Sequence, residues 1–284
     1  MHRILVIGGT GTVGQEVLSQ LAAKGVPVRA LTRNPHAAQF PATVEAIYGD
    51  LTRPETLDIG LDGSDVVFLV WTAPAATAPP ALERIAKHAR RIVYLSAPVN
   101  TPHPLFQQPN PARSLGMEIE RLIEASGLPW AFLRPGMFAA NALHWWAPTI
   151  RAGDVVRWPC LSTPTAPIHE RDIAGVAVHA LCDEQQPRAE YVLTGPESLT
   201  QFEQLSIIGK IIGRSLHVED LSPDQARVEL ARTMPLGVVE MLLSAWTAAA
   251  GQPAFVTSTV AEVTGAPARP FADWVRDHAP EFRT

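Results

Sequence analysis

Residues 1–14, MHRILVIGGTGTVG, decide the fold. Ile4, Leu5, Val6 and Ile7 form a short aliphatic run, and Gly8, Gly9, Gly11 and Gly14 follow at once. Val13, Val17, Leu18 and Leu21 then recur at helical spacing. Strand, glycine turn and amphipathic helix form the context in which a G-x-x-G-x-x-G pattern (Gly8, Gly11, Gly14) reads as a dinucleotide site. Gly8 lets the chain turn sharply off the strand, and Gly11 lets the backbone approach a pyrophosphate. Gly14 lets the helix pack tightly on the sheet, and the helix N-terminus offers free N–H groups to the anion. Gly8, Thr10, Gly11, Thr12 and Val13 are the residues expected there.

Working outward, Val26–Thr32 reads as a second strand whose end selects the cofactor. A carboxylate at that place would bond the adenosine ribose 2′-OH of NAD, whereas an arginine accommodates the 2′-phosphate of NADP. The segment ends Thr32-Arg33-Asn34-Pro35, with no acidic residue between Glu16 and Glu45. Arg33 offers an always-charged planar fork, so the reading is NADP(H). Val44–Tyr48 gives a third strand ending Gly49-Asp50-Leu51, with Asp50 and Leu51 placed beside the adenine. Asp65–Trp71 (DVVFLVW) is a near-continuous apolar run, as expected of a buried parallel strand. The loop that follows places Trp71, Thr72 and Ala73 at the carboxyl edge of the sheet, where ligands bind.

Arg91–Leu95 is a fifth strand and delivers Ser96 to the same edge. Residues 98–111 read as an irregular lid holding His103 and Phe106. Ala112–Ser126 is an amphipathic helix, and Trp130–Arg134 is a sixth strand that leads into Pro135 and Phe138. Strands alternating with helices on both sides of a switch point predict a doubly wound parallel α/β sheet of Rossmann type.

Beyond Asn141 the rhythm changes. His144, Trp145, Trp146 and Trp158 bring aromatics together, a helix starts near Asp172 as expected N-cap, and Tyr191–Thr194 returns as a short strand. Leu199–Ile212 and Ser222–Ala250 are helical by periodicity, with Pro235 starting a fresh segment. The organisation expected is a dinucleotide-binding domain over residues 1–150 and a smaller, mostly helical cap over 151–284. A segment near 165–196 is expected to return to the first domain.

The bulk numbers set limits. At 284 residues, 46% apolar and 18% charged, the chain describes an ordinary globular protein with a full core. A net charge of −5 without a basic block argues against nucleic acid as a partner. The apolar runs are far too short for a membrane span. Cys160 and Cys182 form no zinc or C-x-x-C pattern and read as free core thiols, with no metal expected. A first strand at the initiator end leaves no room for a signal peptide, which with free thiols predicts a cytoplasmic protein. Oligomeric state is not legible.

Taken jointly, these stretches resemble the NmrA-like atypical members of the short-chain dehydrogenase/reductase superfamily. The carriers are Gly8-Gly9-Thr10-Gly11-Thr12-Val13-Gly14, Leu31-Thr32-Arg33-Asn34-Pro35, Gly49-Asp50-Leu51 and Ser126-Gly127-Leu128-Pro129-Trp130, the last running into Leu133-Arg134-Pro135-Gly136. Glu120, Asn141, His169-Glu170-Arg171-Asp172-Ile173-Ala174 and Leu193-Thr194-Gly195-Pro196 continue the match. The resemblance implies a Rossmann domain, a small C-terminal cap and bound NAD(P)(H). It covers reductases and dinucleotide-sensing regulators alike. One departure matters: the superfamily's proton donor is a Tyr-x-x-x-Lys pair. The residues four places after Tyr48, Tyr94 and Tyr191 are Thr52, Pro98 and Gly195. Where relatives often carry Tyr, His or Lys, this chain reads Ser114-Leu115-Gly116-Met117.

Reducing a carbonyl needs a hydride on carbon and a proton or positive dipole on the developing alkoxide. Ser96 matches the family's serine and is the leading hydrogen-bond donor, with His103 and His144 as further catalytic candidates. Ser96, Pro135 and Phe138 are expected at the nicotinamide. A substrate that carries its own acid, or water, is the remaining proton source. Trp71, Phe106, Trp145, Trp146 and Trp158 are expected to wall the substrate, and aromatic walls suit a large, flat, apolar molecule. The reading is an NADPH-dependent ketoreductase acting on a polycyclic aromatic, polyketide-type antibiotic substrate. Its rivals are an NADPH quinone reductase and an NADP(H)-sensing regulator without turnover.

Overall fold

A computed structural model of the chain describes residues 3–183 and 188–283. The chain runs β1 (Ile4–Ile7), α1 (Thr12–Ala23), β2 (Val28–Thr32), β3 (Glu45–Tyr48), α2 (Asp58–Leu61), β4 (Val66–Val70), α3 (Ala78–His88) and β5 (Arg91–Leu95). It continues through α4 (Pro104–Gln107), α5 (Pro111–Ala125), β6 (Trp130–Pro135), α6 (Asn141–Trp145), α7 (Ala147–Ala152), β7 (Val155–Pro159), β8 (Pro164–Thr165) and α8 (Glu170–Cys182). The last elements are β9 (Arg188–Leu193), β10 (Leu199–Thr200), α9 (Gln201–Ile212), β11 (His217–Leu221), α10 (Pro223–Leu230), α11 (Leu236–Ala249), α12 (Thr259–Thr264) and α13 (Phe271–Asp277).

Seven strands form one sheet in the order β3-β2-β1-β4-β5-β6-β9, and every pairing is parallel. The sheet grows outward in both directions from β1, which puts a crevice at the carboxyl ends of β1 and β4. All of β1 is buried because both faces of the sheet are covered. The pleat sends Ile4 and Val6 into the core shared with α1 and α8, and Leu5 and Ile7 into the core shared with α3 and α5. A third core fills the C-terminal part, where α6, α7, α9, α10, α11 and α13 close around Trp146, Trp158, Trp246 and Trp274.

Several expectations needed correction. Helix α8 starts at Glu170, not at Asp172: His169 is the N-cap, its Nδ1 accepting from the Arg171 N–H at 3.2 Å. The Asp172 carboxylate is instead buried and held by Arg269. Cys182 is exposed at the end of α8 and is no core thiol. The segment 98–111 carries a short helix, α4, whose N-cap is His103. The C-terminal part also holds two small sheets, β7 with β11 in parallel and β8 with β10 antiparallel, which periodicity did not reveal.

Two charge clusters, each with a buried centre, brace the frame. In the first, Arg134 on β6 makes a fork to Glu120 on α5 at 2.9 and 2.7 Å and reaches Glu190 on β9 at 2.6 Å. Arg134 and Glu120 are each only 7% exposed, so removing one strands the other away from water. Glu120→Ala is expected to destabilise the fold by about 3 kcal/mol in denaturant unfolding, a loss typical of a broken buried pair. A change below about 0.5 kcal/mol would mean that Glu190 alone satisfies the guanidinium.

In the second cluster, Glu170 accepts from the Trp274 indole N–H at 2.9 Å and pairs with His278 Nε2 at 2.6 Å, which ties α8 to α13. His169 reaches Asp277 at 3.2 Å, and Arg171 grips the same carboxylate at 2.6 Å. The Glu170 hydrogen bond raises the His278 pKa against the opposing pull of burial, and Glu281 adds to the rise. Burial pushes the Glu170 carboxyl up, but its pairing with His169 and His278 brings it well below its ordinary value. The His278 contribution is therefore complete below an unfolded pKa of about 6.5 and is lost as pH rises through the higher folded value. His278→Gln should lower Tm more at acidic than at alkaline pH; an equal loss at both would contradict the charged pairing.

Candidate functional site

The turn between β1 and α1 is built by what its glycines lack. Gly8 sits at φ +92°, a left-handed conformation, and a Cβ there would also come within 2.7 Å of Val70 Cβ. A Cβ on Gly14 would strike the carbonyl of Gly8, so α1 can dock this closely only with glycine at that position. Gly11 is the N-cap of α1 and brings no side chain to the first-turn N–H groups, and that turn holds no acidic residue. The helix end is therefore open to an anion through both its N–H groups and its dipole. Thr12 is exposed beside it, whereas the Val13 side chain is buried in the core. Val13 can therefore contribute only its backbone there.

Beside the turn lies a cavity of about 300 Å³. It brings Gly8, Thr10, Arg33, Asp50, Leu51, Thr72 and Ala73 together from four different loops. Asp50 Oδ1 accepts from the Thr52 backbone N–H at 2.9 Å and from its hydroxyl at 2.8 Å. The backbone N–H of Thr52 is the main reason that its pKa is lowered; burial opposes this, while the Thr52 hydroxyl, Arg33 and Arg53 help. Asp50 is thus an acceptor at neutral pH. Arg33 is exposed on the rim, and no hydrogen bond or ion pair to any described residue holds its guanidinium. Trp71 is half-buried and donates from Nε1 to the Ala73 carbonyl at 2.7 Å, so it shapes this rim as well as flanking it. These residues fit NADP(H): an open helix end for pyrophosphate, a carboxylate for the base and an unpaired guanidinium for a 2′-phosphate.

Further along the sheet edge is a cleft of about 310 Å³. Pro98, Leu105 and Phe106 wall one side, and Gly136, Met137, Asn141 and Trp145 another. Val238, Met241, Leu242 and Ala245 of α11 close it. No titratable side chain lines it. Phe106 packs over Gly136, with its ring tip 3.2 Å from where a Cβ would stand. Pro135 is buried at the end of β6, and Phe138 packs on the core that also carries Val70 and Leu95 at the ends of β4 and β5.

The catalytic candidates do not converge. The Ser96 N–H donates to the Leu133 carbonyl at 2.8 Å, while its Oγ is buried with no hydrogen-bond partner and faces Gly116. His103 is buried with both ring nitrogens committed: Nδ1 accepts from the Leu105 N–H at 3.3 Å, and Nε2 lies 3.1 Å from the Pro253 carbonyl. It is a structural cap. His144 is exposed on a separate cavity of about 430 Å³ with Arg157 and Glu219, outside the cleft.

Of the expected aromatic walls, Phe106 and Trp145 reach the cleft. Trp146 and Trp158 are buried in the C-terminal core, with Trp158 Nε1 donating to Gln201 Oε1 at 2.6 Å. The α11 residues were not foreseen. Their signal was the run Leu236–Ala249, apolar on nearly every side, which marks a helix covered on more than one face. A larger groove of about 890 Å³ runs along α1 and α8 and shares no residue with turn, cavity or cleft.

Fold and site together define an NAD(P)H-dependent oxidoreductase of the Rossmann class. The chain belongs to the NmrA-like family, whose model matches residues 1–263. It is 39% identical to a (4-alkanoyl-5-oxo-2,5-dihydrofuran-3-yl)methyl phosphate reductase of Streptomyces griseus over 98% of this chain and 99% of that one. It is 32% identical to an NAD(P)H azoreductase of Xenophilus azovorans, again over 98% and 99% of the two chains. Among solved structures, a quinone oxidoreductase of Escherichia coli complexed with NADPH has the same fold, with a TM-score of 0.79 at 21% identity over 97% of this chain and 99% of that one. No helix among the described residues is long and apolar enough to cross a membrane.

Arg33→Ala should raise the KM for NADPH about tenfold or more, the size of a lost charge-assisted hydrogen bond, while the KM for NADH barely moves. Equal losses for both cofactors would remove Arg33 from the 2′-phosphate.

Proposed function

We propose that this protein is an NADPH-dependent ketoreductase whose acceptor is a flat, apolar ring system of the polycyclic aromatic, polyketide-type antibiotic class. The observation that carries this reading is the cleft beyond β5 and β6, walled by Phe106, Met137, Trp145 and Met241 and free of charge. Apolar walls with few polar groups suit a ring that is oriented by shape.

In this reading Arg33 takes the 2′-phosphate, Asp50 and Leu51 flank the adenine, and Gly8, Thr10, Gly11, Thr12 and the Val13 backbone surround the pyrophosphate. Thr72 and Ala73 cover the middle of the cofactor, and Ser96, Pro135 and Phe138 meet its nicotinamide end. NADPH, when bound, supplies the hydride. The chain's own work is to orient the ring and to keep water from the reacting face. Ser96 Oγ is buried and unpartnered, faces Gly116 rather than the cleft, and has no base or acid behind it to relay a proton. The proton then comes from an acidic group on the substrate, such as a neighbouring phenol, or from water.

A quinone acceptor is the second reading. It is favoured by the same uncharged cleft, because a reduced quinone oxygen needs no strong acid. The azoreductase and quinone oxidoreductase names of similar proteins are also those of flat, conjugated acceptors.

The test is NADPH oxidation against a panel of polycyclic aromatic ketones and quinones, with product identified. Carbinol formation supports the ketoreductase, turnover of quinones alone supports the second reading, and tight NADPH binding without turnover would contradict both in favour of a sensor. Ser96→Ala is expected to lower kcat about tenfold or less. A loss of about a thousandfold, the size of a true general acid, would contradict a proton from substrate or water.

A further inference from the structure

Helix α5 opens Asn110-Pro111-Ala112-Arg113. Asn110 Oδ1 already accepts from the Ala112 and Arg113 N–H groups, at 2.9 and 3.2 Å, so the helix end itself is capped. A first helical turn favours acidic side chains, because the helix dipole places partial positive charge there. This turn contains none, and its third residue is an arginine. The Arg113 side chain makes no ion pair or hydrogen bond with any described residue, although it is half-buried. Its helix neighbour Arg121 is held by Glu118, and Arg134 by Glu120. A cation set against a helix dipole without a carboxylate breaks a local rule with no compensation inside the protein, which is characteristic of functional positions.

The place of Arg113 gives the break a meaning. It lines a small recess with Pro98, Leu105, Phe106 and Met241, and those same four residues wall the acceptor cleft. The recess therefore adjoins that cleft, and an unpaired guanidinium stands beside its uncharged wall. Apolar neighbours lower the local dielectric and make an ion pair there stronger than one in open solvent. The cofactor's phosphates are accounted for elsewhere, since the cavity beside Arg33 shares no residue with this recess.

We propose that Arg113 is a specificity-determining residue that receives an anionic oxygen group, a phosphate, sulfonate or carboxylate, carried by the acceptor. The proposal rests on the reading of this cleft as the acceptor site. The acceptor then has two ends: an apolar ring with its carbonyl toward the nicotinamide, and an anion in the adjoining recess. The guanidinium fork suits such a group because it can donate two parallel hydrogen bonds.

The experiment compares two quinones with the same reacting ring, 1,4-naphthoquinone and its 2-sulfonate, on the intact protein at saturating NADPH. The wild type should favour the sulfonate in kcat/KM, and added salt should erode that preference through screening. Arg113→Ala and Arg113→Gln should lower the ratio of sulfonate to parent kcat/KM about tenfold, the scale of a charge-assisted hydrogen bond. The change should lie in KM for the sulfonate rather than in kcat, and Arg113→Lys should restore part of it. An unmoved ratio, or a matching rise in the KM for NADPH, would overturn the proposal.

If neither quinone turns over, the acceptor reading fails separately, and the anion site is read by calorimetry with phenyl phosphate on the NADP⁺-loaded protein. Binding that is lost in Arg113→Ala supports the site; no binding by the wild type overturns it.

Discussion

The contact between Gly14 and the carbonyl of Gly8 is the constraint on which the rest of the site depends. It lets α1 lie so close to β1 that the helix end stands at the sheet edge instead of a side chain's width above it. Every other ligand-facing part is positioned from that edge. Because β2 and β4 flank β1, their loops deliver Arg33 and Thr72 to either side of the same turn. The buried Arg134–Glu120 pair, reached from the surface by Glu190, ties α5, β6 and β9 together on the other half of the sheet. Charge is thus used as a brace in the interior, while the cleft closed by α11 is lined by no titratable side chain.

That division has a chemical consequence. Hydride transfer to a carbonyl builds negative charge on oxygen, and a site without a titratable group cannot neutralise it from the protein side. Ser96 Oγ packs against Gly116, where even a Cβ would lie 3.2 Å from it, so this part of α5 has no room for a larger donor. Such a site works best on molecules whose reduced form is itself weakly basic or carries an acidic neighbour. Selectivity then resides in shape and in groups remote from the reacting carbon, where binding energy can orient the ring without taking part in the chemistry.

Most of the sheet was legible because its signals are local. A buried parallel strand reads as an apolar run, and a dinucleotide turn is a spacing of glycines within a few residues. Arg33, Asp50, Leu51, Thr72 and Ala73 could be placed for the same reason: each follows a strand directly, and the strand order decides where it ends. The C-terminal part was less legible because its packing is decided by residues far apart in sequence. Trp145, Trp146 and Trp158 looked alike as aromatic walls, yet only Trp145 lines the cleft, since Trp146 at the junction of α6 and α7 and Trp158 on β7 are buried in the C-terminal core. His103 and His144 had the chemistry of catalysts but not the surroundings: one is spent on capping α4, and the other lies outside the cleft. Asp172 was misread as the N-cap that His169 supplies, and Cys182, read as core from its apolar neighbours in sequence, lies exposed at the end of α8.

The central claim is that a hydride passes from the nicotinamide end of this crevice into the cleft closed by α11. The direct measurement is a single-turnover reaction of protein loaded with NADPH deuterated at nicotinamide C4, with a polycyclic aromatic ketone as acceptor and the product analysed by mass spectrometry. The predicted result is deuterium on the carbinol carbon. Tight cofactor binding with no deuterium in any ketone product would contradict it and would leave a dinucleotide-binding protein whose cleft serves another purpose.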